Sequence, residues 1–220
     1  NDNIAIGYQA MTTNTAGGTS NIAFGNYALD ALTSGDENIA IGLNTLGANT
    51  TASYNIGIGT SALLTNSTGA ENVAVGFSAL KLNATTSQNT AVGHDALRNN
   101  IAVQNTAVGH SALNANTTGA ENVAIGYQSM LTNTTGADNT AIGLKTLTLN
   151  TTGGSNTAVG LQALQNNTTG DGNIAVGRNA MQANTTGTRN IAIGYTAYDG
   201  SDTENDNIAI GYAAMTTNTA

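Results

Sequence analysis

Few residues in this chain carry side chains that do chemistry. Its 220 residues include two histidines, His94 and His110, thirteen carboxylates against five Lys and Arg, and no cysteine. Thiolate metal sites, cysteine nucleophiles and a disulfide framework are thereby excluded. His94 and His110 are sixteen residues apart, which in consecutive turns of a repeat sets one imidazole above the other. Neutral imidazole is a common transition-metal ligand. A second cluster, Asp202, Glu204 and Asp206 with Asp199 close by, alternates as the oxygen ligands of calcium loops do. It lacks the glycine and the distal bidentate Glu of an EF-hand, so it matches calcium chemistry only in part and reads first as a solvated acidic turn. Further carboxylates recur at Asp2, Glu37, Glu71, Glu121 and Asp138. Glycoside hydrolysis would require two of them across a cleft at a defined separation, which a regular array does not offer.

Composition narrows the classes further. Only 8% of residues are charged and 4% aromatic, against about 25% charged in an ordinary soluble domain. A formal net charge of -8 disfavours nucleic acid and anionic membranes as partners. No apolar run is long enough to span a bilayer, and no basic-then-apolar leader opens the chain. The expectation is a protein that is not an enzyme and uses no cofactor.

What positions these residues is a repeat. A Gly preceded by Ile, Val or Phe recurs from Gly7 to Gly211, with spacings of 18, then four of 17, one of 16 and six of 17. The thirteen units share the consensus N-[ITV]-A-[VI]-G-x-x-A-[LM]-x-x-N-T-T-G-x-x. Position 1 is Asn in every unit: Asn3, Asn21, Asn38, Asn55, Asn72, Asn89, Asn105, Asn122, Asn139, Asn156, Asn173, Asn190 and Asn207. Position 3 is Ala in all units but one, where Gly57 stands. Residues 1–220 read as a single continuous array.

A unit of this length is too short for two packed helices, and an invariant Gly opposes helix. Its first five residues alternate as a strand does. Asn-Thr-Thr-Gly is turn chemistry, and a second short extended piece lies between the Gly and that turn. The predicted fold is all-β: a parallel β-solenoid of about thirteen 17-residue coils, roughly 60 Å long at about 4.8 Å per coil. Stacked Asn side chains at position 1 form an amide ladder, and the position-5 Gly marks a positive-φ corner or a close backbone approach. A role as turn residues alone is the competing reading of both.

Sidedness follows from the alternation. The larger residues at positions 4 and 9 are expected to fill the coil. Ala at position 3 then points the other way, and its uniform smallness predicts close packing against a neighbouring chain through Ala5, Ala23, Ala40, Ala74, Ala91, Ala107, Ala124, Ala141, Ala158, Ala175, Ala192 and Ala209. Position 6 varies among Tyr, Asn, Leu, Thr, Phe, His and Arg, as an outward position does; this argues against a metal at the two histidines. Tyr8, Phe77, Tyr127, Tyr195 and Tyr212 there are candidates for contact with a glycan or a surface receptor. Position 17 is often acidic, which serves solubility and guards against edge association. Thr at positions 13 and 14 forms ranks that can organise water or ice, one of them outward. The Asn-Thr-Thr tripeptides also match the N-glycosylation acceptor pattern.

Ala-Val-Gly or Ala-Ile-Gly followed by two residues and Ala, as around Asn122–Gly126 and Asn173–Gly177, resembles the YadA-like head repeats of trimeric autotransporter adhesins. The likeness covers essentially the whole chain. It implies a left-handed β-roll, three chains around one axis and an adhesive role on a bacterial surface. Arrays rich in Asn-Thr-Thr-Gly are similar also to repeats in phage tail-fibre-like proteins. The usual head unit is shorter than this one, the excess here lying in the Asn-Thr-Thr-Gly turn, and no heptad stalk, neck or membrane anchor is seen.

A longer period overlies the short one. Residues 1–16 and 205–220 match at fifteen of sixteen positions, with Gln9 replaced by Ala213, at an offset of 204, or 12 × 17. The expectation is an excerpt of a longer tandem-repeat protein. The reading is a rigid shaft or head segment of an extracellular adhesin, filament or tail fibre, at the cell surface or on a virion, self-associating as a homotrimer or end to end, with a glycan or surface receptor as a further partner. The alternative is a monomeric ice-binding or glycan-binding solenoid with a Thr-rich flat face.

Overall fold

The computed structural model describes residues 2–200 and 202–216. Ser201 and the outermost residues of the terminal near-repeat, 1 and 217–220, lie outside that set. The described residues contain no helix. The chain forms two compact units, Asn1–His110 and Ser111–Ala220, each a parallel β-solenoid with one three-residue strand per coil. The first unit contains β1 (Ile4–Ile6), β2 (Ile22–Phe24), β3 (Ile39–Ile41), β4 (Ile56–Ile58), β5 (Val73–Val75), β6 (Thr90–Val92) and β7 (Thr106–Val108). The second contains β8 (Val123–Ile125), β9 (Thr140–Ile142), β10 (Thr157–Val159), β11 (Ile174–Val176), β12 (Ile191–Ile193) and β13 (Ile208–Ile210). Within each unit every strand pairs in parallel with the next at identical repeat positions, as Ala141 with Ala158 and Ala158 with Ala175.

The strands are short because Gly follows each one at φ between +124° and +140°, a region closed to side chains. It is also a place of closest approach. A Cβ on Gly126 would lie 2.3 Å from the carbonyl oxygen of Gly143 in the next coil. The second extended piece expected after this Gly is instead a chain of turns: positions 7 and 9 are left-handed, as at Gln128 (φ 54°) and Met130 (φ 51°), and so is position 17, as at Asp138 (φ 60°). Left-handed L-residues cost roughly 1–2 kcal/mol each. They are held because each backbone N–H then reaches a neighbouring coil, Met130 to Thr146 O at 3.0 Å and Asp138 to Ala120 O at 3.1 Å.

The two sides of the strand are the reverse of expectation. Alanines 23, 40, 74, 91, 107, 124, 141, 158, 175 and 192 are fully buried by their own chain and Ala209 nearly so; Ala5 in the first coil is exposed. Those from Ala23 onward line the inside of the coil and present no surface to a second chain. Position 9 is buried as expected, at Leu80 or Leu147 for example, whereas position 4 faces outward, with Ile125 and Ile142 each more than one-third exposed. The reason is room. A coil this small brings position 3 against position 8 of the preceding coil, and where Thr45 replaces the usual Ala there a Cβ on Gly57 would lie 2.6 Å from its Cγ2. Only Ala or Gly fits there, and the larger β-branched residues must take the outside.

Candidate functional site

The core that positions the outward residues is polar as well as apolar. In the second unit Asn139 donates from Nδ2 to Asn122 Oδ1 (3.1 Å), Ala137 O (3.1 Å) and Gly153 O (2.9 Å), while its Oδ1 accepts from the backbone N–H (3.0 Å) and Nδ2 (3.1 Å) of Asn156. The pattern repeats along position 1 from Asn3 to Asn105 in the first unit and from Asn122 to Asn207 in the second, with Asn38 on Asn21 and Asn207 on Asn190 as further examples. Each amide also ties the start of a strand to the end of the turn in the same coil.

A second amide ladder goes beyond what the repeat predicts. Position 12, the Asn of Asn-Thr-Thr-Gly, is fully buried at Asn133, Asn150, Asn167 and Asn184. Asn150 Nδ2 donates to Asn133 Oδ1 at 2.7 Å and Asn167 Nδ2 to Asn150 Oδ1 at 2.8 Å, and each also donates to the Gly carbonyl three residues on. The near-invariance of that Asn is the signal the sequence offers, but local turn chemistry already accounts for it. Because these amides are enclosed and committed, the Asn-Thr-Thr tripeptides are not accessible glycosylation acceptors in the folded chain. At Asn184, the last Asn of this run, Oδ1 is buried with no partner among the described residues.

Outside, three kinds of rank result. The first is apolar. Positions 2 and 4 of the strands form a ridged face in which Phe24, Ile41, Ile58 and Val92 of the first unit and Ile125, Ile142, Val176 and Ile193 of the second are exposed, lined up by the strand register. The second is hydroxylic. Position-13 hydroxyls are spent on the next coil's backbone, Thr134 Oγ1 to Thr151 O and Thr151 Oγ1 to Thr168 O, both at 3.0 Å. Position 14 is exposed in an unbroken row of Thr118, Thr135, Thr152, Thr169, Thr186 and Thr203.

The third rank is position 6. Phe77 stacks on His94 (centroids 5.0 Å apart, 22° between planes), His94 on His110 (5.0 Å, 5°), and Tyr195 on Tyr212 (5.5 Å, 10°) with the Arg178 guanidinium 5.6 Å from the Tyr195 centroid. Ring faces in such a column are covered by one another. A sugar therefore meets their edges rather than the faces that carbohydrate stacking uses.

The acidic residues do not converge. Among the described residues no group of three or more His, Cys, Asp or Glu is placed to hold a metal ion. The calcium candidate fails at its geometry: Asp206 is paired with Arg189 of the preceding coil, at 2.6 Å and 2.8 Å, and Asp202 uses its backbone carbonyl to accept from Thr185. Positions 13, 15 and 17 run through a turn, so alternate side chains do not share a face as they would in a strand. The hydrogen bond to Arg189 holds the Asp206 carboxyl below the usual range. Partial burial raises Asp30 and Asp199, both at position 10.

No protein-family model matches the chain, and neither does any curated protein or solved structure.

Proposed function

We propose that this chain is a rigid structural and adhesive segment of an extracellular surface adhesin, filament or tail fibre, and that it self-associates, as a homotrimer, through the outward apolar face of its strands. The observation that supports this is the ridged rank of Ile, Val and Phe at positions 2 and 4. Isolated surface apolar residues need no explanation, but a contiguous row of them does. Full burial of such a side chain contributes about 1.5–3 kcal/mol. A position-4 Ile that is about 37% exposed therefore has roughly 0.5–1 kcal/mol left to gain, and the gain repeats with every coil. The partner that fits best is a second copy, because its ridges have the same pitch and the same strand spacing. The resemblance to adhesin head repeats supports a trimer, and this reading seats it on that face instead of on the alanines.

Light scattering on a sizing column tests the reading. Three chains of 22.0 kDa per particle is the expected mass, and Ile125→Asp with Ile142→Asp, on the exposed side of β8 and β9, should return the particle to one chain with unchanged far-UV circular dichroism. A folded monomer for the unsubstituted chain would overturn the proposal. The unbroken position-14 threonine row supports a second reading, a monomer that orders water or binds a glycan or ice through that row. A monomeric mass together with thermal hysteresis or glycan-array binding lost on Thr152→Val would favour it.

A further inference from the structure

We propose that the threonines at position 2 set the register of self-association: Thr90 with Thr106 in the first unit, and Thr140 with Thr157 in the second, are polar windows that one copy matches only with the same windows of another. The inference rests on the self-association proposed above and names what fixes its alignment. Position 2 is Ile or Val in every other unit, so each window interrupts an apolar row for two consecutive coils, with Thr90 paired to Thr106 and Thr140 to Thr157 in the strand register. In all four strands position 2 is half-buried, position 3 is buried and the outward position 4 stays apolar.

The fold does not use these hydroxyls. Among the described residues none of the four is bonded to another group of the chain, whereas the position-13 hydroxyls of Thr134 and Thr151 are spent on the next coil's backbone. A hydroxyl both donates and accepts, so Thr laid against the same Thr of a parallel copy satisfies it, while Thr laid against Ile or Val is desolvated without a partner. Identical ridges of one pitch otherwise slide freely by a coil. In the second unit a one-coil slide puts Thr140 of one copy on Val123 of the other, and Thr157 of that other on Ile174, so each copy loses one hydroxyl's partner. In the first unit the same slide puts Thr90 on Val73. Each orphaned hydroxyl disfavours the slide by about tenfold. Among parallel arrangements only the aligned one pairs every Thr. Polar residues in an otherwise apolar coiled-coil seam fix register in this way, at a cost in stability.

The absence of cysteine makes register readable by cross-linking. Chains carrying Val176→Cys and chains carrying Ile193→Cys, exposed position-4 sites on adjacent strands outside the windows, are refolded together, sized by light scattering and oxidised with glutathione disulfide. A disulfide does not bridge Cα atoms more than about 7 Å apart, so aligned copies join like residues and a link between residues 176 and 193 reports a slide. The expected result is a multi-chain particle in which the mixed link is no more than about a tenth of the like links. Thr90→Val, Thr106→Val, Thr140→Val and Thr157→Val together, with Val73 and Val123 as precedents at position 2, should keep the particle multi-chain and raise the mixed link about tenfold. The four Thr→Ser changes keep the hydroxyls and should preserve the parent pattern. Mixed links as abundant as like links in the parent, no like links in a multi-chain particle, like links alone in the folded Val variant, or sliding in the Ser variant would each overturn the register proposal. A single-chain particle for the parent would overturn the self-association reading itself, and this proposal with it.

Discussion

Replacing Asn139 by Ala tests whether the position-1 ladder is an energetic element of the fold. The backbone N–H of Asn139 keeps its bond to Asn122 Oδ1 at 3.0 Å, so that acceptor stays satisfied. Gly153 O retains Asn150 Nδ2 at 2.8 Å, Ala137 O retains the backbone N–H of Ser155 at 2.9 Å, and Asn156 Nδ2 retains Gly170 O at 2.9 Å. The backbone N–H of Asn156 has no such reserve, because its acceptor is Asn139 Oδ1 at 3.0 Å. A buried donor left orphaned costs about 1–3 kcal/mol, and the bonds whose partners keep another mate contribute roughly 0.5 kcal/mol each at the low end of the usual range. The sum is a loss of about 3–5 kcal/mol. Urea unfolding followed by circular dichroism measures it as a shift in midpoint at constant slope. Asn139→Asp keeps an acceptor for Asn156 but turns carboxylate oxygens toward Gly153 O and Asn122 Oδ1, and should be at least as damaging. Half-buried Asn166, outside both ladders, is the control, with Asn166→Ala expected within about 0.5 kcal/mol of the parent. If Asn139→Ala costs no more than Asn166→Ala, the ladder is a consequence of stacking and not a cause of it.

Three further outcomes follow from the same geometry. Gly126→Ala should cost about 3 kcal/mol or more and prevent neighbouring coils from closing, because its φ is +134° and the added carbon would meet Gly143 O at 2.3 Å; Gly172→Ala, at φ +68° with nothing nearer than Arg189 Cγ at 3.6 Å, should cost only about 1 kcal/mol, and equal losses in denaturation would refute the close-approach argument. Asp30 and Asp199 bind their protons more tightly folded than unfolded, so their burial penalty is absent below the unfolded carboxylate range and grows as pH rises through the elevated folded values; Asp30→Asn and Asp199→Asn should raise stability at neutral pH relative to acid, and unchanged pH profiles would count against it. Asp206 has the opposite sign: held low by Arg189, its pair contributes above the unfolded carboxylate range and is lost as pH falls through the depressed value, so Arg189→Gln should flatten the profile only at the acid end, as read by melting temperature against pH.

The coil path is largely legible in the residues, because period, Gly placement and turn chemistry are local signals that agree in every unit. Sidedness is not. Alternation says that positions 3 and 4 face opposite ways, but which of them is inside depends on the width of the coil, and that width is set by left-handed residues at positions 7, 9 and 17. Gln128 or Glu121 in isolation announces no such backbone, since propensity disfavours it; it is imposed by hydrogen bonds to adjacent coils that exist only once the stack has formed. The second amide ladder is hidden for a related reason. Asn133 looks like any turn Asn until its neighbours at Asn116 and Asn150 are placed above and below it.

That inversion changes what the surface is for. A solenoid with large apolar residues inside can satisfy itself, and its outer face is then free to vary. Here the interior is taken by Ala, Leu or Met, and two columns of Asn whose hydrogen bonds run from coil to coil, so successive coils are tied by directional bonds at the coil spacing rather than by a thick core. The β-branched residues pushed outward stay apolar from β1 to β13 except where Thr stands at position 2, although solvent alone would favour polar replacement. Position 6, a neighbour on the same outer surface, varies from Tyr to Arg. Two outward positions on one backbone, one restricted and one free, are the pattern that the proposed self-association through the first of them would leave.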